Sequence, residues 1–277
     1  MMCTPIIGIE PFEVEKPTLL VMLGDSIAAG YGVQRSQRYG YIVADRMGWE
    51  YWNYAVSGSQ TSGLLDKLLN SYPTQNAVRN ADIIHISIGG NDLVLTPEGS
   101  IDLLFLTTLL GMQATPQLDA KIAVAVNNFN QSISKIRELN PNALITVLKN
   151  IIPSFGPLGV VHNAAAFAID RLTAAMFASH TDLLIINGRA HFLASDTDYF
   201  LPDFIHLSPL GHSHLAKIFY DTYNEFISQT GNTDNTLLVV LSVIGASVLF
   251  GTLWIGFYFL KIRNRMNQLA IKKDSNL

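Results

Sequence analysis

Thr18-Leu19-Leu20-Val21-Met22-Leu23 runs directly into Gly24-Asp25-Ser26. A short apolar run with no charge and no alternation reads as a strand buried on both faces, as in a parallel sheet. Runs of the same kind recur at residues 50–55, 82–88, 143–149 and 182–187. Residues 38–47, 63–69, 119–139 and 164–179 repeat apolar side chains every three or four positions, and 209–228 reads as a final helix. Strand and helix in alternation predict an α/β fold with a central parallel sheet and helices on both faces. In such sheets ligands bind beyond the carboxyl ends of the strands. Ser26 and Asn91 fall just past two of these ends, and Gly58 lies three residues past another.

The residues gathered there suit one chemistry. A serine hydroxyl is a weak nucleophile at neutral pH and needs a base within hydrogen-bond reach. Asp203-Phe204-Ile205-His206 supplies a histidine with a carboxylate three residues before it, so Asp203 can orient His206 while His206 takes the Ser26 proton. Asn91, in Gly89-Gly90-Asn91-Asp92, can donate its amide to an oxyanion beside the backbone N–H groups of Ser26 and Gly58. Plainer readings stand next to these: Ser26 as a helix N-cap and Asn91 as a turn residue. Gly58 reads as glycine because the backbone must approach the substrate without a Cβ. Asp25 and Asp92 read as hydrogen-bond partners flanking the site rather than as catalytic acids. His206, His212 and His214 with Asp203 can be imagined around a metal. However, no His-x-x-x-His pair lies on a helix, and a Ser-Gly-Asn set has no role in such a site. No metal or cofactor is expected, and His212 and His214 read as helix-start residues. His85, His162, His180 and His191 have no motif around them and read as packing or surface residues.

Gly24-Asp25-Ser26-Ile27-Ala28-Ala29-Gly30 resembles the first block of the GDSL, or SGNH, hydrolases. Ala55-Val56-Ser57-Gly58-Ser59-Gln60-Thr61 is similar to their second block, and Ile86-Ser87-Ile88-Gly89-Gly90-Asn91-Asp92-Leu93 to their third. Asp203-Phe204-Ile205-His206-Leu207-Ser208-Pro209-Leu210-Gly211-His212 resembles the last. The second block is the least specific, because Gly-Ser-x-Thr turns are common. The resemblance spans about residues 18–220. It implies a three-layer α/β/α, flavodoxin-like fold and hydrolysis of an ester or thioester at a serine. The expected catalytic set is Ser26, Asp203 and His206, with Ser26, Gly58 and Asn91 as the oxyanion hole. The implied activity is cleavage of carboxylic esters, lipid-like or acylated, through an acyl-enzyme on Ser26. Two alternatives stay open: an acyltransferase using the same triad, and a non-catalytic, membrane-anchored binding module.

The ends of the chain carry a different signal. At 277 residues the chain is long enough for one large domain and an appendage, and 49% apolar with 14% charged residues is high for a purely soluble protein. A net charge of −4 leaves no basic footprint, so nucleic acid is not an expected partner. Cys3 is the single cysteine, so no intrachain disulfide exists. Residues 237–260 are 24 positions without a charge. As a helix they extend roughly 36 Å, enough to cross a hydrocarbon core of about 30 Å. Trp254 and Tyr258 stand near one end, followed by Lys261, Arg263, Arg265, Lys272 and Lys273. The expected organisation is an arm over 1–17, a hydrolase domain over 18–230, a linker over 231–236, a transmembrane helix over 237–260 and a basic tail over 261–277. The basic tail predicts a cytoplasmic C-terminus and an extracytoplasmic catalytic domain. Residues 1–16 lack a basic region followed by an apolar one, which keeps a cytoplasmic, tail-anchored arrangement as the alternative. The leucine-rich residues 93–118 read as a pocket wall, a lipid-facing segment or a packed helix, and 150–161 as a loop bordering the cleft.

Overall fold

The computed structural model describes residues 16–96, 98–102, 115–149, 151, 160–192 and 197–230. The chain divides into two compact units, Met1–Tyr223 and Asn224–Leu277. In the first unit the strands β1 (Leu19–Gly24), β2 (Glu50–Asn53), β3 (Ile83–Ser87), β4 (Leu144–Lys149) and β5 (Leu184–Asn187) form a parallel sheet in the order β2-β1-β3-β4-β5. The connecting helices are α1 (Ser26–Ala29), α2 (Tyr39–Met47), α3 (Thr61–Asn70), α4 (Tyr72–Asn80), α5 (Gly90–Val94), α6 (Pro116–Leu139) and α7 (Val160–Phe177). Residues 209–223 form a further helix, α8; in the second unit the described residues, 224–230, are helical.

Every residue of β1 is buried, and its alternate side chains enter different layers. Leu19, Val21 and Leu23 pack with Leu64 and Leu68 of α3, Val78 of α4, Phe129 of α6 and Leu172 of α7. Leu20 and Met22 pack with Tyr39 and Val43 of α2 and with Leu215 and Phe219 of α8. Two apolar faces, each covered by helices, are why β1 reads as an unbroken apolar run. The chain steps from β1 out to β2, then back across β1 to β3. That reversal leaves a crevice at the carboxyl ends of β1 and β3, where doubly wound sheets bind ligands.

Several boundaries differ from the sequence expectation for identifiable reasons. β2 stops at Asn53 rather than 55, because the Asn53 side-chain oxygen accepts the Ala55 N–H at 3.0 Å and turns the chain. The helix expected at 63–69 runs from Thr61 to Asn70, and α4 follows it at once. Apolar spacing does not reveal α4, whose sequence is largely polar; its signal is Ser71, which accepts the Thr74 N–H, with Pro73 in the first turn. α6 starts at Pro116 rather than 119, capped by Thr115, and α7 already includes Val160 and Val161, which were expected in a loop. β5 starts at Leu184 rather than 182; Asp182 is turned to the Arg137 guanidinium instead.

The expected arm (apart from 16–17), linker, membrane span and basic tail lie outside the described residues, as do Pro97, 103–114, Asn150 and 152–159 of the expected pocket inserts. Among the described residues no helix is long and apolar enough to cross a membrane.

Candidate active site

Gly24 ends β1 with φ +117°, and a Cβ there would fall 1.8 Å from the Ser87 carbonyl oxygen. Both facts require glycine, because L side chains rarely adopt that backbone and no neighbour could yield. The close approach lets the Asp25 N–H donate to the Ser87 carbonyl at 2.8 Å, fastening the exit of β1 to the end of β3. Asp25, not Ser26, is the N-cap of α1: its carboxylate accepts the Ile27 N–H at 3.0 Å and the Ser87 hydroxyl at 3.0 Å. Ser26 is therefore the first helical residue, whose N–H has no partner within the helix. Asn53 steadies α1 from β2 by donating to the Ala28 carbonyl at 2.8 Å.

His206 reaches Ser26 from the far end of the unit. Its Nε2 lies 2.9 Å from Ser26 Oγ and its Nδ1 2.7 Å from Asp203 Oδ2. The other Asp203 oxygen accepts the N–H groups of Ile205 and His206, each at 2.9 Å, so one carboxylate holds the turn and the ring together. Phe204, at the tip of this turn, has φ 56°, a left-handed conformation uncommon for a bulky residue. The turn is closed by Leu201 N–H to the His206 carbonyl at 2.7 Å and by Phe204 N–H to the Leu201 carbonyl at 2.8 Å.

Asn91 lies in the first turn of α5, just past β3, and its amide donates to the Ser59 carbonyl at 3.0 Å. An amide nitrogen carries two hydrogens, so the second remains for another acceptor. Val56 N–H donates to the Gly24 carbonyl at 2.9 Å, which seats the Gly58 loop against the end of β1. Gly58 has φ +78° and open space where a Cβ would stand. The left-handed backbone thus accounts for glycine there, in place of the steric reason expected from the sequence. Asp92 accepts the N–H and the hydroxyl of Thr61, giving α3 the cap that Gln60 does not supply.

Residues 22–214, well over half of the chain, match the GDSL-like Lipase/Acylhydrolase family. The chain belongs to this GDSL-like family. The uncharacterized protein YpmR of Bacillus subtilis (strain 168) is 30% identical over 138 residues, 47% of this chain and 50% of that protein. The chain thus spans about half the length of the curated relative it matches. Among solved structures, the lipase Lip_vut3 from a goat rumen metagenome superposes with a TM-score of 0.59 at 22% identity, over 74% of this chain and 97% of that one. Phospholipase A1 from Streptomyces albidoflavus NA297 superposes with a TM-score of 0.54 at 19% identity, over 76% and 99%. At these identities the likeness is one of fold.

Within the GDSL-like unit the surroundings of the two nearest aspartates differ. Burial pushes the Asp25 carboxyl up to about 7 against the opposing hydrogen bonds from Ile27 and Ser87. Burial also acts upward on Asp203, but hydrogen bonds from His206 and Ile205 outweigh it and hold that carboxyl below its usual value. Asp92 is raised by burial, with Thr61 opposing.

The imidazoles that cluster near Asp203 in the sequence face separate partners. His206 is engaged by Ser26 and Asp203, His212 Nδ1 accepts the Tyr39 N–H at 3.3 Å, and His214 Nε2 lies 3.1 Å from the His191 carbonyl. Among the described residues no group of three or more His, Cys, Asp or Glu side chains converges on a common point. His212 does open α8, and it also links that helix to the start of α2; burial lowers its pKa to about 4. His85 is a core residue, 2.7 Å from Thr146 across the sheet. Two residues that touch Asn91 and His206 escape the sequence reading. Ser59 offers only a backbone oxygen and so no side-chain signal. Tyr31, whose ring lies 4.4 Å from the His206 ring, is marked by nothing but its place between Gly30 and Gly32.

Proposed function

We propose that the protein is a serine esterase that hydrolyses carboxylic esters through an acyl-enzyme on Ser26. The observation that carries this reading is the unbroken relay from Ser26 Oγ to His206 Nε2 at 2.9 Å and from His206 Nδ1 to Asp203 at 2.7 Å. Asp203 in its ionised form only accepts, so Nδ1 carries the hydrogen and the Nε2 lone pair faces the serine; this tautomer is assigned from the partners. As Ser26 Oγ attacks the ester carbonyl, its proton passes to His206, and Asp203 stabilises the imidazolium. The tetrahedral oxyanion is held by the free N–H of the Asn91 amide and the backbone N–H groups of Ser26 and Gly58. Collapse expels the alcohol, which takes the proton from His206. Water then attacks the acyl-enzyme with His206 again as base, releasing the carboxylic acid and restoring Ser26.

A lipid-like or otherwise acylated substrate is the class we favour. The fold is shared with a lipase and a phospholipase A1, and the exposed side chains of Val56 and Ile205 stand on the two loops that carry Gly58 and His206. The proposal includes a membrane tether through residues 237–260, supported by their length and lack of charge, with the catalytic unit on the extracytoplasmic side. Protease protection of the unit in intact, sided membranes tests that placement, since cleavage from the cytoplasmic side would reverse it.

Reaction of the detergent-solubilised full chain with a fluorophosphonate probe, beside Ser26→Ala, tests the chemistry. Wild type should be labelled and turn over short-chain esters, and Ser26→Ala should do neither. A well-folded wild type that resists labelling would remove the activated serine from the account.

A further inference from the structure

The relay that orients His206 is open to water: the side chain of Asp203 is 40% exposed and that of His206 21%. Charge pairs at such exposure stabilise weakly. The Asp203 carboxylate also bonds the backbone of its own turn, which fixes the acid, while the imidazole is held about a broad terminal torsion by one hydrogen bond at each nitrogen. A further contact bears on the ring. Tyr31 places its own ring 4.4 Å from the His206 ring at an interplanar angle of 39°.

Tyr31 is tied to both halves of the catalytic pair. Its N–H donates to the Ser26 carbonyl at 3.0 Å. Its neighbour Gly32, at φ +77°, lies so close to Leu201 that a Cβ there would fall 2.5 Å from Leu201 Cδ1. Leu201 in turn donates its N–H to the His206 carbonyl. Tyr31 as a residue remains 51% exposed, so core packing does not account for its place. An aromatic face beside an imidazole restricts its rotation and attracts it when it becomes cationic.

We propose that Tyr31 is a positioning residue that holds the His206 imidazole in line between Ser26 and Asp203. The inference rests on the esterase reading, in which His206 must return to the same orientation for both acylation and deacylation. Because Tyr31 acts through His206, its loss should slow every ester alike, whatever the acyl length.

The test compares wild type, Tyr31→Phe and Tyr31→Ala as full chains in detergent. It reads kcat and KM on acetyl and octanoyl p-nitrophenyl esters and the rate of fluorophosphonate labelling. Misplacement of a catalytic group costs one to two decades in rate, so Tyr31→Ala should lower kcat at least about tenfold on both esters. Labelling should slow in step, while KM stays within about twofold, as expected when transition-state positioning is lost rather than ground-state binding. Tyr31→Phe should restore wild-type behaviour, because the ring and not the hydroxyl does the holding. A rise in KM confined to the octanoyl ester, or kcat unchanged in Tyr31→Ala, overturns the proposal and leaves a substrate wall or a bystander. Failure of Tyr31→Phe to rescue also overturns it. Wild type that neither labels nor turns over removes the esterase reading and this inference with it, whereas active wild type beside an unaffected Tyr31→Ala removes this inference alone.

Discussion

Asp25 and Asp203 show how far one residue type is shaped by its surroundings. Asp25 sits inside the protein with its carboxyl raised from 3.8 to about 7, first by burial, while the hydrogen bonds of Asp203 hold it low. A folded carboxyl that binds its proton more tightly than the unfolded chain does contributes stability fully present below pH 3.8 and lost as pH rises through about 7. The shift corresponds to about 4 kcal/mol at most, at 1.36 kcal/mol per unit. Melting temperatures across pH 4–8 should therefore decline more steeply for wild type than for Asp25→Asn, and parallel curves would mean that Asp25 is ionised throughout. Asn91→Ala should lower kcat/KM by about 3 kcal/mol, a hundredfold or more. Its melting point should move little, since one hydrogen bond to the Ser59 carbonyl contributes about 1 kcal/mol. Near-normal turnover would exclude Asn91 from the oxyanion hole. Ser26, His206, Asp203 and Asn91 can be picked out of the sequence because they stand together in short motifs past strand ends, although Ser26 or Asn91 alone would suit a plain cap or turn. Tyr31 cannot, because its importance lies in what it touches 175 positions away.

Elements were legible where burial imposes a pattern. β1 is apolar along its length and β3 is buried throughout with isoleucine at three of its five positions, so both are readable, whereas α4 is polar on most of its surface and its start rests on Ser71 and Pro73. Joints between elements are harder to read, because a single side chain serves several of them. Asn140, the C-cap of α6, donates to the carbonyls of Val78 and Ala81, each at 2.8 Å, and accepts the N–H of Ala143 at 3.1 Å. It thereby joins α6, α4 and the approach to β4. Asn140→Ala would strand these groups and should cost about 2–3 kcal/mol, measured as a lower urea midpoint at unchanged slope. Gly24→Ala should cost about 3 kcal/mol or more, since the Cβ meets the Ser87 carbonyl and the backbone is left-handed. A stable, active Gly24→Ala would mean that β1 and β3 can part at their ends without harm to Ser26.

Across the whole molecule, a parallel sheet could be inferred from alternating strands and helices, and the crevice between β1 and β3 from its topology. The order β2-β1-β3-β4-β5 is a matter of which strands meet in space, and nothing in the individual runs ranks them. All five residues proposed for catalysis lie in the first unit, Met1–Tyr223. A chain ending at residue 230 should hydrolyse a soluble short-chain ester at a rate comparable to the full chain and, if the proposed tether holds, should lose the full chain's sedimentation with membranes. Loss of both together would show that residues beyond 230 serve the chemistry as well.

Ser26 and His206 are separated by 180 positions, yet in the proposed mechanism their hydrogen bond is what turns an alcohol into a nucleophile. Asp203 and His206 can find each other in any short fragment, whereas Ser26 finds His206 only after the strands between them have assembled. During synthesis the serine emerges 180 residues ahead of His206 and lacks its proposed base until that residue has been made. On the proposed mechanism reactivity is a late property of this chain, and an acylating probe added during refolding would count finished molecules rather than exposed serines.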